Sequence, residues 1–103
     1  MSRTAIAIVA GIAGFAGLCL TASADTPRSP VQVYQAVCSN CHGNGGAPLI
    51  RGRKLPAASV AETVRDGRNA MPGFGKAEIS PAELDALARW IETSSRDPAE
   101  RPG

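Results

Sequence analysis

The 103-residue sequence predicts a single all-α domain of three helices joined by long loops. Apolar residues recur with helical period in three places, each opened by a helix-starting residue. No stretch alternates apolar and polar residues with period two, and there is no internal repeat. Gly- and Pro-rich connections, Gly43 to Pro56 and Asn69 to Lys76, separate the helical segments.

The first residues read as an export signal rather than as part of that domain. Arg3 gives a positive start, Ala5 to Leu20 is uncharged and mostly apolar, and Ala22-Ser23-Ala24 has the small-residue form of a cleavage site. Residues 1–24 are thus expected to be a signal peptide, with an uncleaved membrane anchor as the alternative. Cys19 follows Leu18, where a lipoprotein peptidase prefers a small residue, so Cys19 is expected to leave with the signal. Cleavage leaves the domain, residues 25–93, and a polar tail, residues 94–103, with Pro98 and Pro102, expected to be flexible.

The first helix opens at Ser29 with Pro30 in the first helical position, carries Val33, Tyr34 and Val37, and runs into Cys38. The second is expected to open at Ser59, with Glu62 completing a capping box, and to stop at Gly67. The third has the fullest signature. Ser80-Pro81-Ala82-Glu83 combines cap, N1 proline and capping box, and Leu84, Leu87, Ala88 and Ile91 follow at helical spacing.

After Ala24 the chain holds only five Val, three Ile, four Leu and the single residues Met71, Phe74, Tyr34 and Trp90. Domains this small usually need a staple, metal or other added core element. The composition asks for a large apolar group for the loops to wrap around. Charge is uneven: Arg51, Arg53, Lys54, Arg65, Arg68 and Lys76 dominate Gly43 to Lys76, and Ala77 to Gly103 is acidic. The cations are few and not interleaved with aromatics, which excludes a nucleic-acid surface.

Cys38-Ser39-Asn40-Cys41-His42 supplies the group: it is the c-type haem attachment pattern. On a helix, positions i, i+3 and i+4 share a face, so two thiols and an imidazole point the same way. The thiols can add to the porphyrin vinyl groups while His42 ligates the iron. Ser39 and Asn40 face elsewhere and are expected to be free in identity. A thiol-exchange centre usually opens a helix after a strand, and no strand precedes this one. A structural zinc site needs four ligands, and two Cys and one His fall short.

His42 is the only histidine, so a second histidine ligand within the chain is excluded. Met71, in the loop Asn69-Ala70-Met71-Pro72-Gly73, is the expected sixth ligand, since soft thioether sulfur suits haem iron. If Met71 is core filler instead, Lys54, Lys76 or an open position takes its place.

From about Gln32 to Thr93 the chain resembles class I cytochrome c, the small monohaem family of bacterial electron carriers. Tyr34 precedes Cys-x-x-Cys-His-Gly, Pro48-Leu49 follows a Gly-rich turn, and Gly67 comes shortly before Met71-Pro72. Phe74 and the Ser80 to Ile91 helix with Trp90 complete the series. The resemblance implies a cytochrome c-like fold around one covalent haem c, with the Pro48 carbonyl orienting His42. Pro30 stands near where the family has a glycine at the helix crossing. Tyr34 and Trp90 are expected to pack the first helix against the last.

With both axial positions filled by protein, the expected function is a periplasmic electron carrier rather than an enzyme. The alternatives are a haem c subunit of a dehydrogenase or oxidase complex, or a haem enzyme or sensor with a displaceable sixth ligand. The expected partners are redox protein donors and acceptors of a monomeric chain, with no nucleic acid and no small-molecule substrate. Some cations of Gly43 to Lys76 steer docking or neutralise a haem propionate, or are simply solvated.

Overall fold

The computed structural model of the chain describes Gly11, Gly14 and residues 26–103. Apart from those two glycines, the expected signal peptide, with Cys19 and the cleavage site, lies outside the described residues. Among the described residues there are three α-helices and no strand, and no helix is long and apolar enough to cross a membrane.

Helix α1 spans Pro30–Ala36. Ser29 Oγ accepts from the Gln32 amide at 3.2 Å, and Gln32 Oε1 accepts from the Ser29 amide at 2.8 Å. This is a reciprocal capping box whose second member, Gln32, is a further local start signal beyond Ser29 and Pro30. Helix α3, Pro81–Thr93, opens on the expected box, with Ser80 and Glu83 exchanging bonds of 3.1 and 3.0 Å. Helix α2 corrects its expected start. It spans Ala57–Asp66 after Pro56, and Ser59 lies inside its first turn. No local side chain caps it; Glu92 of α3 accepts from the Ala57 amide instead. A carboxylate at a helix N-terminus is well placed there, but its sequence distance hides it.

The core forms where α1 and α2 pack against α3. Val33, Tyr34, Val64, Ile79, Leu84, Leu87 and Ile91 make one buried cluster. Tyr34 and Trp90 meet with ring centroids 5.3 Å apart and planes tilted by 57°, tying α1 to α3 as expected. Arg28, just before α1, reaches across to α3. Its Nε lies 2.7 Å and its backbone amide 2.9 Å from Glu83 Oε2, and Nη2 donates to the Glu78 carbonyl at 2.8 Å. Glu83 therefore caps α3 and anchors the entry to α1 at once.

The segment after α3, residues 94–103, returns over the loop that follows His42. Gly52 donates to Ser94 Oγ at 3.2 Å, and Arg51 pairs with Asp97 at 3.4 Å. Tyr34 donates to Glu100, and the Arg101 amide donates to the Gly43 carbonyl at 2.8 Å. Gly43 has φ +93°, a backbone conformation that strains any residue with a side chain, and a Cβ there would press on the Glu100 side chain, so the strap passes close over a glycine. Above the aromatic pair, the Arg51 guanidinium sits 5.8 Å from the Tyr34 ring centre and 5.1 Å from that of Trp90. Polar composition predicts solvation; these partners, 42 to 66 positions away, supply the docking instead.

Deleting residues 97–103 is expected to cost about 2 kcal/mol, from one ion pair and several hydrogen bonds. That corresponds to on the order of 10 °C in a domain this small, read by thermal denaturation. A free tail would leave the midpoint unchanged. A second expectation concerns acid. The Arg28 guanidinium, then the Ser80 and Arg28 amides, hold the Glu83 carboxyl down at about 2 against an ordinary 4.5. The stability it contributes is complete above about 4.5 and lost as pH falls toward 2. Glu83→Gln should lower the neutral-pH midpoint and flatten its fall across that acid window.

Candidate haem site

The last carbonyls of α1 shape the turn that follows it. Ser39 Oγ donates to the Gln35 carbonyl at 2.7 Å, and Asn40 Nδ2 to that of Ala36 at 2.9 Å. Both residues, expected to be free in identity, thus satisfy carbonyls that a helix end leaves open. The chain tightens into a 3₁₀ turn, Cys38–Asn40, instead of continuing as α-helix. Cys41 donates to the Cys38 carbonyl at 3.2 Å and has left helical geometry at φ −125°, ψ −40°. His42 donates to the same carbonyl at 2.9 Å, which preserves the one-turn spacing of Cys38 and His42.

Both cysteines are free thiols, Cys41 exposed and Cys38 half-buried against the core. Burial pushes the Cys38 thiol up to about 11, so it stays neutral. Thiol exchange runs on a thiolate, favoured at a helix N-terminus; this pair follows a helix C-terminus. The exchange chemistry is therefore poorly served here.

The structure brings Pro48 to His42: the carbonyl lies 2.6 Å from Nδ1. A carbonyl only accepts, so Nδ1 carries the proton and Nε2 keeps a free lone pair. That is the tautomer a metal-ligating imidazole needs.

Met71 sits on a tight turn. The Arg68 amide donates to the Met71 carbonyl at 3.0 Å and the Met71 amide to that of Arg68 at 2.9 Å, with Asn69 left-handed at φ 54°. Gly67, at φ +74°, ends α2, and a Cβ there would stand 2.7 Å from both the Met71 carbonyl and the Gly73 nitrogen. The loop is thus pressed onto the last turn of α2, where Phe74 donates to the Val64 carbonyl at 2.7 Å. Arg65 Nη1 holds the Phe74 and Ile79 carbonyls at 3.1 and 2.8 Å. In the sequence Arg65 stands out only as one of the basic residues, because a carbonyl acceptor leaves no side-chain signature. Lys54 and Lys76 are exposed.

Met71 and Cys38 pack against the same buried cluster, with Val37, Ile50, Leu55, Val60, Ala61 and Phe74 also only half covered. A small core rimmed by half-covered apolar side chains fits a large flat apolar group. The donors are compatible with it too: two thiols can attach a haem, and an imidazole with a free Nε2 and a thioether are both groups that ligate haem iron. A wider cleft of about 760 Å³ lies elsewhere, between Gly52–Pro56 and the end of α3, and none of these donors borders it.

Comparison with known proteins gives the family. The family model described as cytochrome C oxidase, cbb3-type, subunit III matches residues 25–91. The chain is 35% identical over 72 residues to the 4-cresol dehydrogenase [hydroxylating] cytochrome c subunit of Pseudomonas putida, covering 68% of this chain and 63% of that protein's length. It is 27% identical to cytochrome c6 of Gracilaria tenuistipitata var. liui, over 76% of this chain and 81% of the relative. Among solved structures, a chain of p-cresol methylhydroxylase with substrate bound superposes with a TM-score of 0.61 and 31% identity, over 66% of this chain and 95% of that one. Helices without strands among the described residues, a family match over residues 25–91 and these relatives place the chain in the class I c-type cytochrome family, electron-transfer proteins that carry covalently attached haem c.

Proposed function

We propose that this chain is a periplasmic electron carrier holding one haem c through Cys38 and Cys41, with His42 and Met71 as its axial ligands. The observation that carries the reading is the His42–Pro48 contact, which frees Nε2 one turn from Cys38. Haem c, once attached, supplies an iron that takes up and gives back one electron. The polypeptide does the rest. Pro48 fixes the imidazole tautomer and orientation. The Arg68–Met71 turn and its seat on α2 keep the thioether where it is. The half-covered apolar side chains exclude water and so help set the potential. Two protein ligands leave no position for a substrate, which favours transfer over catalysis.

The likeness to a dehydrogenase cytochrome c subunit supports a second reading, in which the chain stays bound to the enzyme that reduces it. Both readings share one electron path into a protein partner. Of the six cations between Gly43 and Lys76, Arg51 and Arg65 are engaged inside the fold, while Arg53, Lys54, Arg68 and Lys76 are exposed. Those four are the ones available to steer an acidic partner.

Expression with cytochrome-maturation machinery tests the site. The product should be coloured and heavier by one haem, and Cys38→Ala with Cys41→Ala should release the haem on denaturation. A colourless wild-type product, or a Cys38–Cys41 disulfide, would sink the reading. Steering is tested separately by stopped-flow reduction with a redox partner: the rate should fall about tenfold or more between low and physiological ionic strength. A salt-independent rate would remove the cations from docking.

A further inference from the structure

We propose that Arg65 is the positioning residue for Met71, holding the thioether loop closed through the carbonyls of Phe74 and Ile79. This rests on the reading of Met71 as an axial ligand. A cation in the last turn of a helix ordinarily serves that helix's own terminal carbonyls. Arg65 does something else. From the last turn of α2 its Nη1 reaches forward nine residues to Phe74 and fourteen to Ile79. Arg65 makes none of the ion pairs among the described residues.

The two carbonyls bracket the exit of the Met71 loop. On one side, Met71 is locked into its turn with Arg68, and Phe74 is bonded to Val64. On the other, Glu78 and Ile79 both donate to the Gly75 carbonyl, at 3.1 and 3.0 Å, and Ile79 is buried in the core. A single guanidinium nitrogen therefore joins Phe74, where the loop leaves α2, to Ile79 in the core. Gly73 packs so closely on the Arg65 backbone that a Cβ there would stand 2.5 Å from the Arg65 carbonyl, so backbone and side chain of one residue meet the loop at Gly73 and at Phe74. Hydrogen bonds from a charged donor are the strong kind, and losing this one leaves two half-buried carbonyls without it.

Opening of the loop is read by an outside ligand. Imidazole binds the ferric holoprotein only when Met71 has left, so its apparent affinity scales with the open fraction. Arg65→Gln, too short to span both carbonyls, should bind imidazole about tenfold more tightly than wild type and weaken the far-red sulfur-to-iron band. Arg65→Lys, keeping one donor nitrogen, should fall between. Arg101→Ala, which cuts the distant bond to the Asn44 carbonyl, should lower thermal stability without changing imidazole affinity. Wild-type imidazole affinity and an intact far-red band in both Arg65 variants would overturn the assignment. Met71→Ala separates the two readings: if wild type lacks the band and binds imidazole as Met71→Ala does, Met71 is not the ligand and the underlying reading fails first.

Discussion

Val33 and Tyr34 of α1 lie buried against Leu84, Leu87 and Ile91 of α3, and the rest of the molecule takes its position from that contact. α1 is only seven residues long, too short to hold a direction by itself. Seated on α3 and tied at its entry by Arg28 to Glu83, it gains one. Its far end then delivers Cys38 to the edge of the core, and the 3₁₀ turn carries His42 out to meet Pro48. Tyr34 serves this crossing twice, against Trp90 and, through its hydroxyl, under the C-terminal strap. Burial and the Glu100 carboxylate push the tyrosine far above its ordinary range, so it remains a neutral donor at any physiological pH.

How much of this is legible in the sequence depends on how far each signal reaches. The start of α3 is legible to the residue because its cap, proline, box and apolar stripe all lie within the twelve positions from Ser80 to Ile91. Gly67 is legible as a terminator because only a left-handed residue ends the helix there. α2 begins two residues before its expected cap because the group that serves its N-terminus, Glu92, comes from another helix. The strap illustrates the same limit. Its residues are polar, and nothing local distinguishes Asp97 or Glu100 from solvated charge; their partners Arg51 and Tyr34 are visible only once the loop has folded under them. Residue types at the candidate site were legible from chemistry, while the clamps that hold them, Arg65 above all, act on main-chain carbonyls and write nothing into a motif.

Charge counting has a related weakness. The basic stretch from Gly43 to Lys76 reads as one field, yet folding divides it. Arg51 spends its charge on Asp97 and two aromatic faces, Arg65 on two carbonyls, and Arg53 partly on the Leu49 carbonyl at 3.0 Å. What reaches solvent is smaller and differently placed than the sum.

The two sides of the candidate site are also held by different forces. On the His42 side, two thiols on the same turn offer covalent attachment, and the Pro48 bond adds to it. On the Met71 side there is only a glycine-flanked turn, a few backbone hydrogen bonds and one guanidinium. A thioether is a weaker ligand than an imidazole fixed by its neighbour, so its residence depends on how stiffly the chain presents it. Under the proposed ligation, the loop from Gly67 to Ile79 is therefore the part of this molecule where modest changes in packing alter the chemistry. The covalent side tolerates such changes, because a displaced imidazole remains tethered one turn away.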